Sequence, residues 1–250
     1  FWIGMGLAGL GIAAALVVLL PKEKLEKSKD EWFKGSITAL AVVFRNPQSI
    51  LCGLIAGLLF IPTTIFDMIW GVRFLQEAHG FGYGEAVIRS ATIPLGWIIG
   101  CPLLGFISDR IGRRKPVIIG GACVLLACLF WILYGSADTF PPYVLGLIAG
   151  IASGSAMILY TVIKEANPPQ YGGTATGAIN LLNFAFTAIM GEIFIKIMQV
   201  SSQEKLAGPE HYQVTFQPLL YGVALAALLT FALKETGWAA RPSKETLVTA

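Results

Sequence analysis

Residues 105–116 read Gly-Phe-Ile-Ser-Asp-Arg-Ile-Gly-Arg-Arg-Lys-Pro, and no other stretch of this 250-residue chain is as specific. They place four cationic side chains and one carboxylate in a short turn between two long apolar runs. Because the flanking runs are long enough to cross a lipid bilayer, we expect the turn at a membrane surface. Cytoplasmic loops carry the excess of lysine and arginine, so we expect this surface to be the cytoplasmic one.

The composition also indicates a membrane protein. Hydrophobic residues make up 55% of the chain and charged residues 13%, whereas an ordinary soluble domain carries about 25% charged residues. We therefore predict an integral membrane protein in contact with the lipid bilayer. The net charge of +3 is small, and its concentration in a few loops is typical of membrane topology rather than of nucleic-acid binding.

The residues that usually carry chemistry form no recognisable set. All four cysteines lie inside apolar runs without C-x-x-C spacing, which favours buried small residues over a disulfide framework or a zinc site. The sequence contains no Ser/His/Asp set, no metal-ligand cluster and no phosphate-binding Gly-Lys loop. We therefore expect no cofactor, no metal and no enzymatic activity.

Seven apolar runs of about 20 residues predict seven membrane-spanning helices. The runs are residues 2–20, 49–74, 85–107, 116–134, 143–163, 174–198 and 214–233. The predicted fold class is all-α, a polytopic transmembrane helical bundle. The chain begins inside the first run without a basic leader, so we expect it to be truncated at the N-terminus.

The distribution of basic residues predicts the topology. If every run spans the membrane once, four loop segments fall on one side and hold 14 of the 18 lysine and arginine residues. They are the linker 21–47, the turn at 105–116, the turn after Ile163 and the C-terminal tail. This asymmetry places the linker and the tail in the cytoplasm. Within the linker, a mixed charge run precedes an amphipathic stretch at 32–45, which predicts a short helix on the membrane surface.

The pattern G-x-x-x-D-R-x-G-R-R at 105–114 resembles the signature loop of the major facilitator superfamily, a family of membrane transporters. That family carries one copy of the loop in each of its two six-helix halves. Four spans and a short tail follow the loop here, which resembles the second copy. The sequence Leu-Lys-Glu-Thr-Gly at 233–237 is similar to an acidic motif that many members carry after the last helix.

The resemblance implies a domain organisation. It assigns residues 1–20 to the last helix of the first half, 21–47 to the central cytoplasmic linker, 48–234 to the six-helix second half and 235–250 to a cytoplasmic tail. The absent first half is then an expected partner. A further likeness of the second and sixth spans to bacterial sugar-phosphate and organic-anion permeases implies the bacterial inner membrane.

The signature residues are expected to form a conformational switch. The glycines permit a tight turn, and Asp109 is expected to face the positive end of the next helix. The resemblance implies that the carboxylate and the arginines form charge pairs with a neighbouring helix in one access state only; the alternative is that the arginines fix topology alone. The residues concerned are Gly105, Asp109, Arg110, Gly112, Arg113 and Arg114.

Charged residues inside the predicted spans are candidate substrate or ion contacts, because a charge in the membrane usually faces a cavity or a partner. Asp67 lies deepest and is the best candidate for a protonatable group. Glu192 and Lys196 are spaced i, i+4 and are expected to pair on one helix face. Arg73 and Arg89 lie near the outer ends of adjacent spans, where they either attract an anion or extend toward the headgroups.

Uncharged residues complete the candidate set. Asn180 and Asn183 in the sixth span can bond either a polar solute or another helix. Trp70, Trp97 and Tyr160 are aromatic and more typical of packing or interface anchoring, although Trp70 and Tyr160 are kept as candidate substrate contacts.

These features predict secondary active transport of a small polar solute by alternating access. The expected solute is an organic anion, a sugar or a related metabolite, and coupling to protons or another ion rests on Asp67 and Glu192. The alternative is a transport-inactive membrane sensor on the same fold. A long soluble signalling domain would favour the sensor, whereas the linker and tail here are short.

Overall fold

The computed structural model describes residues 2–19, 29–136, 143–203 and 208–240. In these ranges the regular structure is helical and includes no strand, which confirms the predicted all-α class. The chain divides into two compact units, Phe1–Thr38 and Ala39–Ala250. The charged stretch 22–28 and the end of the tail at 241–250 lie outside the described residues.

The first unit contains α1 (Trp2–Leu19) and the beginning of α2 (Lys29–Arg45). Helix α1 forms over the first predicted span, and its apolar stretch Ile3–Leu19 is shorter than the spans of the second unit. Helix α2 covers the stretch for which the sequence predicts a short amphipathic helix; its place on the membrane surface stays a prediction.

The second unit contains six helical stretches that are long and apolar enough to cross a membrane, in agreement with the second to seventh predicted spans. Three of the stretches are α5 (Tyr83–Ile111), α6 (Lys115–Tyr134) and α10 (Pro209–Ala232). A fourth combines a short 3-10 turn with α9 (Gly172–Gln203). The fifth stretch consists of α3 (Pro47–Ile61), a π-helical segment (Pro62–Gly71) and α4 (Val72–His79). The sixth consists of α7 (Val144–Ser153), a 3-10 turn (Gly154–Met157) and α8 (Ile158–Glu165). The protein is therefore an integral membrane protein.

The π-helical segment follows from the residues at its two ends. Pro62 has no backbone N–H and cannot complete the α-helical ladder, yet the chain continues as a wider helix rather than breaking. At the other end, a Cβ on Gly71 would lie 2.8 Å from the Asp67 carboxylate and 3.0 Å from the Ser90 hydroxyl. Since π-helical turns occur frequently at functional sites, this segment marks the second span for closer inspection.

Helices α5 and α7 touch backbone to backbone. A Cβ on Gly96 would lie 2.3 Å from the carbonyl oxygen of Leu147, and one on Gly150 would lie 2.0 Å from that of Ile93. Small residues at such a crossing allow close packing between apolar helices. The contact fixes the third span against the fifth and, with them, the walls of the cavity described below.

Substituting Gly150 by alanine tests this contact. The added methyl group collides with a backbone carbonyl that cannot rotate away, so we expect a loss of about 1–3 kcal/mol of stability, or several degrees of melting temperature. Thermal unfolding of the full-length protein in detergent measures this change. Gly191→Ala is the matched control, because open space surrounds Gly191 on α9; equal melting temperatures for the two variants would contradict the close contact.

Candidate functional site

An amide–aromatic cluster lies where α3, α5, α8 and α9 meet. The Tyr160 hydroxyl donates a hydrogen bond to Oδ1 of Asn180, 2.8 Å away, and the Asn183 amide interacts with the same hydroxyl. The Phe60 ring lies edge-on to the Trp97 ring at 5.1 Å between centroids, and 6.3 Å from the Tyr160 ring. Four helices thus bring two amides, a hydroxyl and an indole to one place.

Two polar atoms of this cluster are buried without a hydrogen-bond partner among the described residues. They are Nε1 of Trp97, a donor, and Oδ1 of Asn183, an acceptor. Leaving such groups unsatisfied costs about 1–3 kcal/mol each. A ligand that satisfied both atoms would have to offer an acceptor to the indole N–H and a donor to the amide oxygen.

The cluster unites three of the residues that the sequence singles out, Tyr160, Asn180 and Asn183. Trp97 belongs to it as well, although its sequence context indicates packing only; its indole N–H is the feature that points to binding. Trp70 lies elsewhere, with its ring 6.4 Å from that of Phe216.

The charged candidates lie outside the amide–aromatic cluster. Arg73 is exposed and donates to Glu77 at 2.6 Å, one turn along the same helix. Arg89 pairs in the same way with Glu85. Each guanidinium therefore has a carboxylate one helical turn away and is not left to attract a free anion.

The expected pair between Glu192 and Lys196 does not form. Both side chains are exposed on α9, and no ion pair within 4 Å joins them in the part of the chain that the structure describes. Exposed i, i+4 pairs contribute only about 0.3–0.5 kcal/mol, and nothing packs over these two side chains to hold them together.

Asp67 occupies a separate cavity. Its side chain is 3% exposed, and its Oδ1 accepts a hydrogen bond from the Ser90 hydroxyl at 2.8 Å. Within the described ranges, no lysine or arginine nitrogen lies within 4 Å of this carboxylate. The cavity has a volume of about 100 Å³, and no residue of the amide–aromatic cluster lines it.

The signature turn is organised around the buried Arg114 side chain. Its guanidinium donates to Glu165 at 2.7 and 3.2 Å, to the Ser108 hydroxyl at 3.1 Å and to Asp109. The hydrogen bonds to Glu165 and then Asp109 raise the pKa of Arg114 above its ordinary value, although burial opposes this shift. Arg114 is therefore a permanent cation that joins α5 to the end of α8.

The carboxylate at the start of α6 is Glu235 and not Asp109 as expected. Asp109 lies in the last turn of α5, because the chain needs the residues after Ile111 to reverse direction. Glu235, which follows α10, accepts hydrogen bonds from the backbone N–H groups of Arg114 at 2.6 Å and Lys115 at 3.1 Å. It thereby satisfies the unpaired donors at the positive end of that helix.

The segment after α10 also covers the turn. Gly112 adopts the left-handed conformation at φ +70°, and a Cβ there would lie 2.5 Å from the Trp238 ring. The Trp238 indole donates to the carbonyl oxygen of Asp109 at 2.9 Å. The acidic motif at 233–237 indicates this segment in the sequence, whereas nothing in the sequence singles out Trp238.

The side chains of two signature arginines, and Gly105, take no part in this network. Arg110 and Arg113 are exposed and form no ion pair with a described residue. Gly105 faces open space. The geometry therefore divides the signature into a network of Asp109, Gly112 and Arg114 and an exposed set of two arginines.

A bundle of apolar helices with this turn defines a polytopic membrane protein of the transporter class. The family model of the Major Facilitator Superfamily matches residues 1–191. The chain therefore belongs to the Major Facilitator Superfamily, a family of transporters and not of enzymes, which confirms the resemblance of the signature turn.

Several curated proteins are similar to this chain. The arabinose-proton symporter of Bacillus subtilis is 30% identical over 128 residues, which are 50% of this chain and 26% of the symporter. The D-xylose transporter of Levilactobacillus brevis is 28% identical over 52% of this chain and 28% of its own length. The gentisate transporter of Corynebacterium glutamicum is 26% identical over 41% and 23%, respectively. The chain thus matches only about a quarter of the length of these relatives.

The cap that Glu235 forms can be tested through pH. Burial alone raises the pKa of Glu235. Four hydrogen bonds from backbone N–H groups together lower this pKa by more than burial raises it, so it lies below its ordinary value; the donors are Arg114, Lys115, Gly237 and Thr236. A depressed pKa stabilises the folded state above the unfolded pKa, and this contribution is lost as the pH falls through the folded pKa. Glu235→Gln should therefore lower the melting temperature at pH 7 by a few degrees, corresponding to about 1 kcal/mol for a cap.

The difference between Glu235→Gln and the native protein should vanish in acid, where the native carboxylate is protonated too. The exposed Glu192→Gln variant serves as the control and should melt like the native protein throughout. A difference between Glu235→Gln and native protein that stays constant down to pH 3 would refute the charged cap.

Proposed function

We propose that this chain belongs to a secondary transporter that moves a small, neutral, polyhydroxylated solute such as a sugar by alternating access. The observation that carries this proposal is the amide–aromatic cluster with its spare donor and spare acceptor. Hydroxyl groups can serve both, and the faces of Phe60 and Trp97 offer apolar contact to the carbon skeleton. No cation belongs to the cluster, so it is better suited to a sugar than to an organic anion.

The similarity to arabinose and xylose transporters supports a sugar, whereas the similarity to a gentisate transporter supports an anion. The absence of a cation from the described residues of the cluster favours the sugar. The proposed location is the bacterial inner membrane, with the signature turn, the linker and the tail in the cytoplasm. Most described basic residues lie at that end, as the positive-inside rule requires.

The solute site is proposed to be completed by another six-helix half of the same protein. Helices α5 and α9 support this arrangement, because only 22% of the most apolar part of each span is buried, against 78% for the span Pro47–His79. Their remaining apolar surface is available to a second helical bundle as well as to lipid.

The network around Arg114 is proposed to stabilise one access state. It joins α5, α6 and α8 through hydrogen bonds and charge pairs at the cytoplasmic end, so movement of these helices relative to one another has to break them. The exposed Arg110 and Arg113 are proposed to face lipid phosphates and fix topology.

Proton coupling is proposed to use Asp67. A buried carboxylate without a cationic partner is costly in its charged form, which favours a bound proton. Glu192 is exposed on α9 and fits this role less well.

Binding of a sugar by the full-length protein tests the site. Trp97→Phe keeps the ring and removes the N–H donor, and Asn183→Ala removes the acceptor, so each should weaken binding about tenfold, as expected for the loss of one hydrogen bond of 1–1.5 kcal/mol. Tritiated xylose and arabinose in proteoliposomes provide the measurement, with gentisate as the anionic comparison. Trp70→Phe is the matched control and should bind as the native protein does. Preferential binding of gentisate through the same residues would overturn the choice of a sugar, and binding without accumulation would favour the sensor.

Coupling is tested by recording proton uptake with a pH-sensitive dye while a sugar gradient drives transport into proteoliposomes. Asp67→Asn should abolish proton uptake yet retain sugar exchange, because the amide cannot take up a proton and keeps the shape of the side chain. Glu192→Gln should leave both signals unchanged. Proton uptake by Asp67→Asn at the native rate would exclude Asp67 as the coupling group.

A further inference from the structure

The cavity beside Asp67 runs toward the end of the bundle opposite the signature turn. It is lined at that end by His79 at the end of α4, Gly135 just after α6 and Tyr143 just before α7. The turn at 105–116 joins α5 and α6 at their other end. With the turn in the cytoplasm, as proposed above, the cavity opens outward.

Arg89 lies across the outer part of this cavity. Its guanidinium is 4.0 Å from the centroid of the Phe81 ring and 5.8 Å from that of Tyr143. Glu85 accepts hydrogen bonds from it at 2.9 and 2.8 Å. The Arg89 guanidinium thus contacts two rings that belong to different loops. Because Glu85 compensates its charge, the side chain fills part of the cavity without repelling an incoming proton.

The backbone at Tyr143 indicates that this arrangement is imposed. Tyr143 has φ +76°, the only positive φ of a non-glycine residue in the described ranges. Such a conformation is strained and persists only when its surroundings hold it, commonly at functional sites. Here it directs the ring toward Arg89.

The lining of the cavity suits a proton better than a metal ion. A metal ion such as Ca²⁺ needs six or more oxygen ligands, whereas Asp67 is the only carboxylate among the described residues that line this cavity. The Ser90 hydroxyl is already a donor to Asp67, and the Thr92 hydroxyl donates to the carbonyl oxygen of Arg89 at 2.6 Å. Protonation requires one carboxylate oxygen and no further ligand.

Few titratable groups face Asp67 from the elements packed around it. His79, Arg89 and Tyr143 line the same cavity, and α3 contributes no charged side chain. The other charged residues of the packed elements do not line the cavity and are paired or exposed: Arg73, Glu77, Glu85, Asp109, Arg110, Glu192 and Lys196. Among the described lining residues, Asp67 is therefore the carboxylate that a proton entering this cavity can bind.

We propose that this cavity is an outer access path by which protons reach Asp67 without crossing the amide–aromatic cluster, and that Arg89 gates it against Phe81 and Tyr143. The inference rests on the proposed proton coupling at Asp67. It adds a route for the proton that is separate from the route of the solute, so the two ligands can enter from the outside independently.

Thiol labelling of the full-length protein tests the path. Ser90→Cys places a thiol beside Asp67 at the inner end of the cavity, and a small membrane-impermeant thiosulfonate added from the outer side should modify it, as read by peptide mass spectrometry. Adding Arg89→Ala should speed the modification about tenfold, the factor expected when a partly desolvated cation–π contact is removed. Ile93→Cys, which lines the same cavity, is the second reporter should Ser90→Cys fail to fold.

Two matched changes identify the gate. Arg73→Ala removes another outer arginine, which is paired one turn away but does not line the cavity. Trp97→Ala opens the amide–aromatic cluster instead of the cavity. Neither change should alter the labelling rate. The proposal is overturned if Arg89→Ala has no effect, if Trp97→Ala accelerates labelling equally, or if either thiol reacts only from the inner side. Labelling as expected, combined with sugar transport that moves no protons, would disprove the coupling and leave the access path intact.

Discussion

The buried guanidinium of Arg114 is the constraint on which the end of the bundle at the signature turn depends. A cation held away from water requires carboxylate partners, and these come from two helices, Asp109 on α5 and Glu165 on α8. Glu165 also accepts the hydroxyl of Thr236 at 2.6 Å, and Glu235 receives the backbone N–H of Arg114 itself. Three helices and the segment after α10 thus meet at one residue, and a change at any of these positions leaves a buried charge or donor without its partner.

Toward the membrane interior, the described polar residues separate into two kinds of site. The amide–aromatic cluster contains only neutral groups, among them the spare Trp97 donor, whereas the other cavity is lined by Asp67 and by Arg89, whose charge is compensated by Glu85. This separation has an electrostatic reason. A carboxylate next to a neutral sugar site would bind cations or change the hydrogen-bond pattern whenever it ionised, while a carboxylate in its own cavity can change charge without altering the contacts of the solute.

The sequence predicts the spans well because burial in lipid demands continuous apolar helices: the run at 116–134 forms as Lys115–Tyr134. It predicts the partners of charged residues less well, since these depend on packing. Glu235 and the start of α6 are 120 residues apart, and no local pattern distinguishes Glu235 from Asp109 as the cap. The sequence context of Trp97 indicates packing for a similar reason, because whether an indole N–H is satisfied depends on which helices surround it.

The π-helical segment connects the two sites along one helix. Phe60, which packs on the rings of the amide–aromatic cluster, lies just before Pro62, while Asp67 and Gly71 lie in the second half of the segment. A π-helix is rare compared with an α-helix and occurs frequently at functional sites. The hydrogen bond from Ser90 to Asp67 holds the segment against α5. A solute that shifts Phe60 would act on the same helical segment that carries Asp67, which gives the proposed coupling between solute and proton a physical path seven residues long.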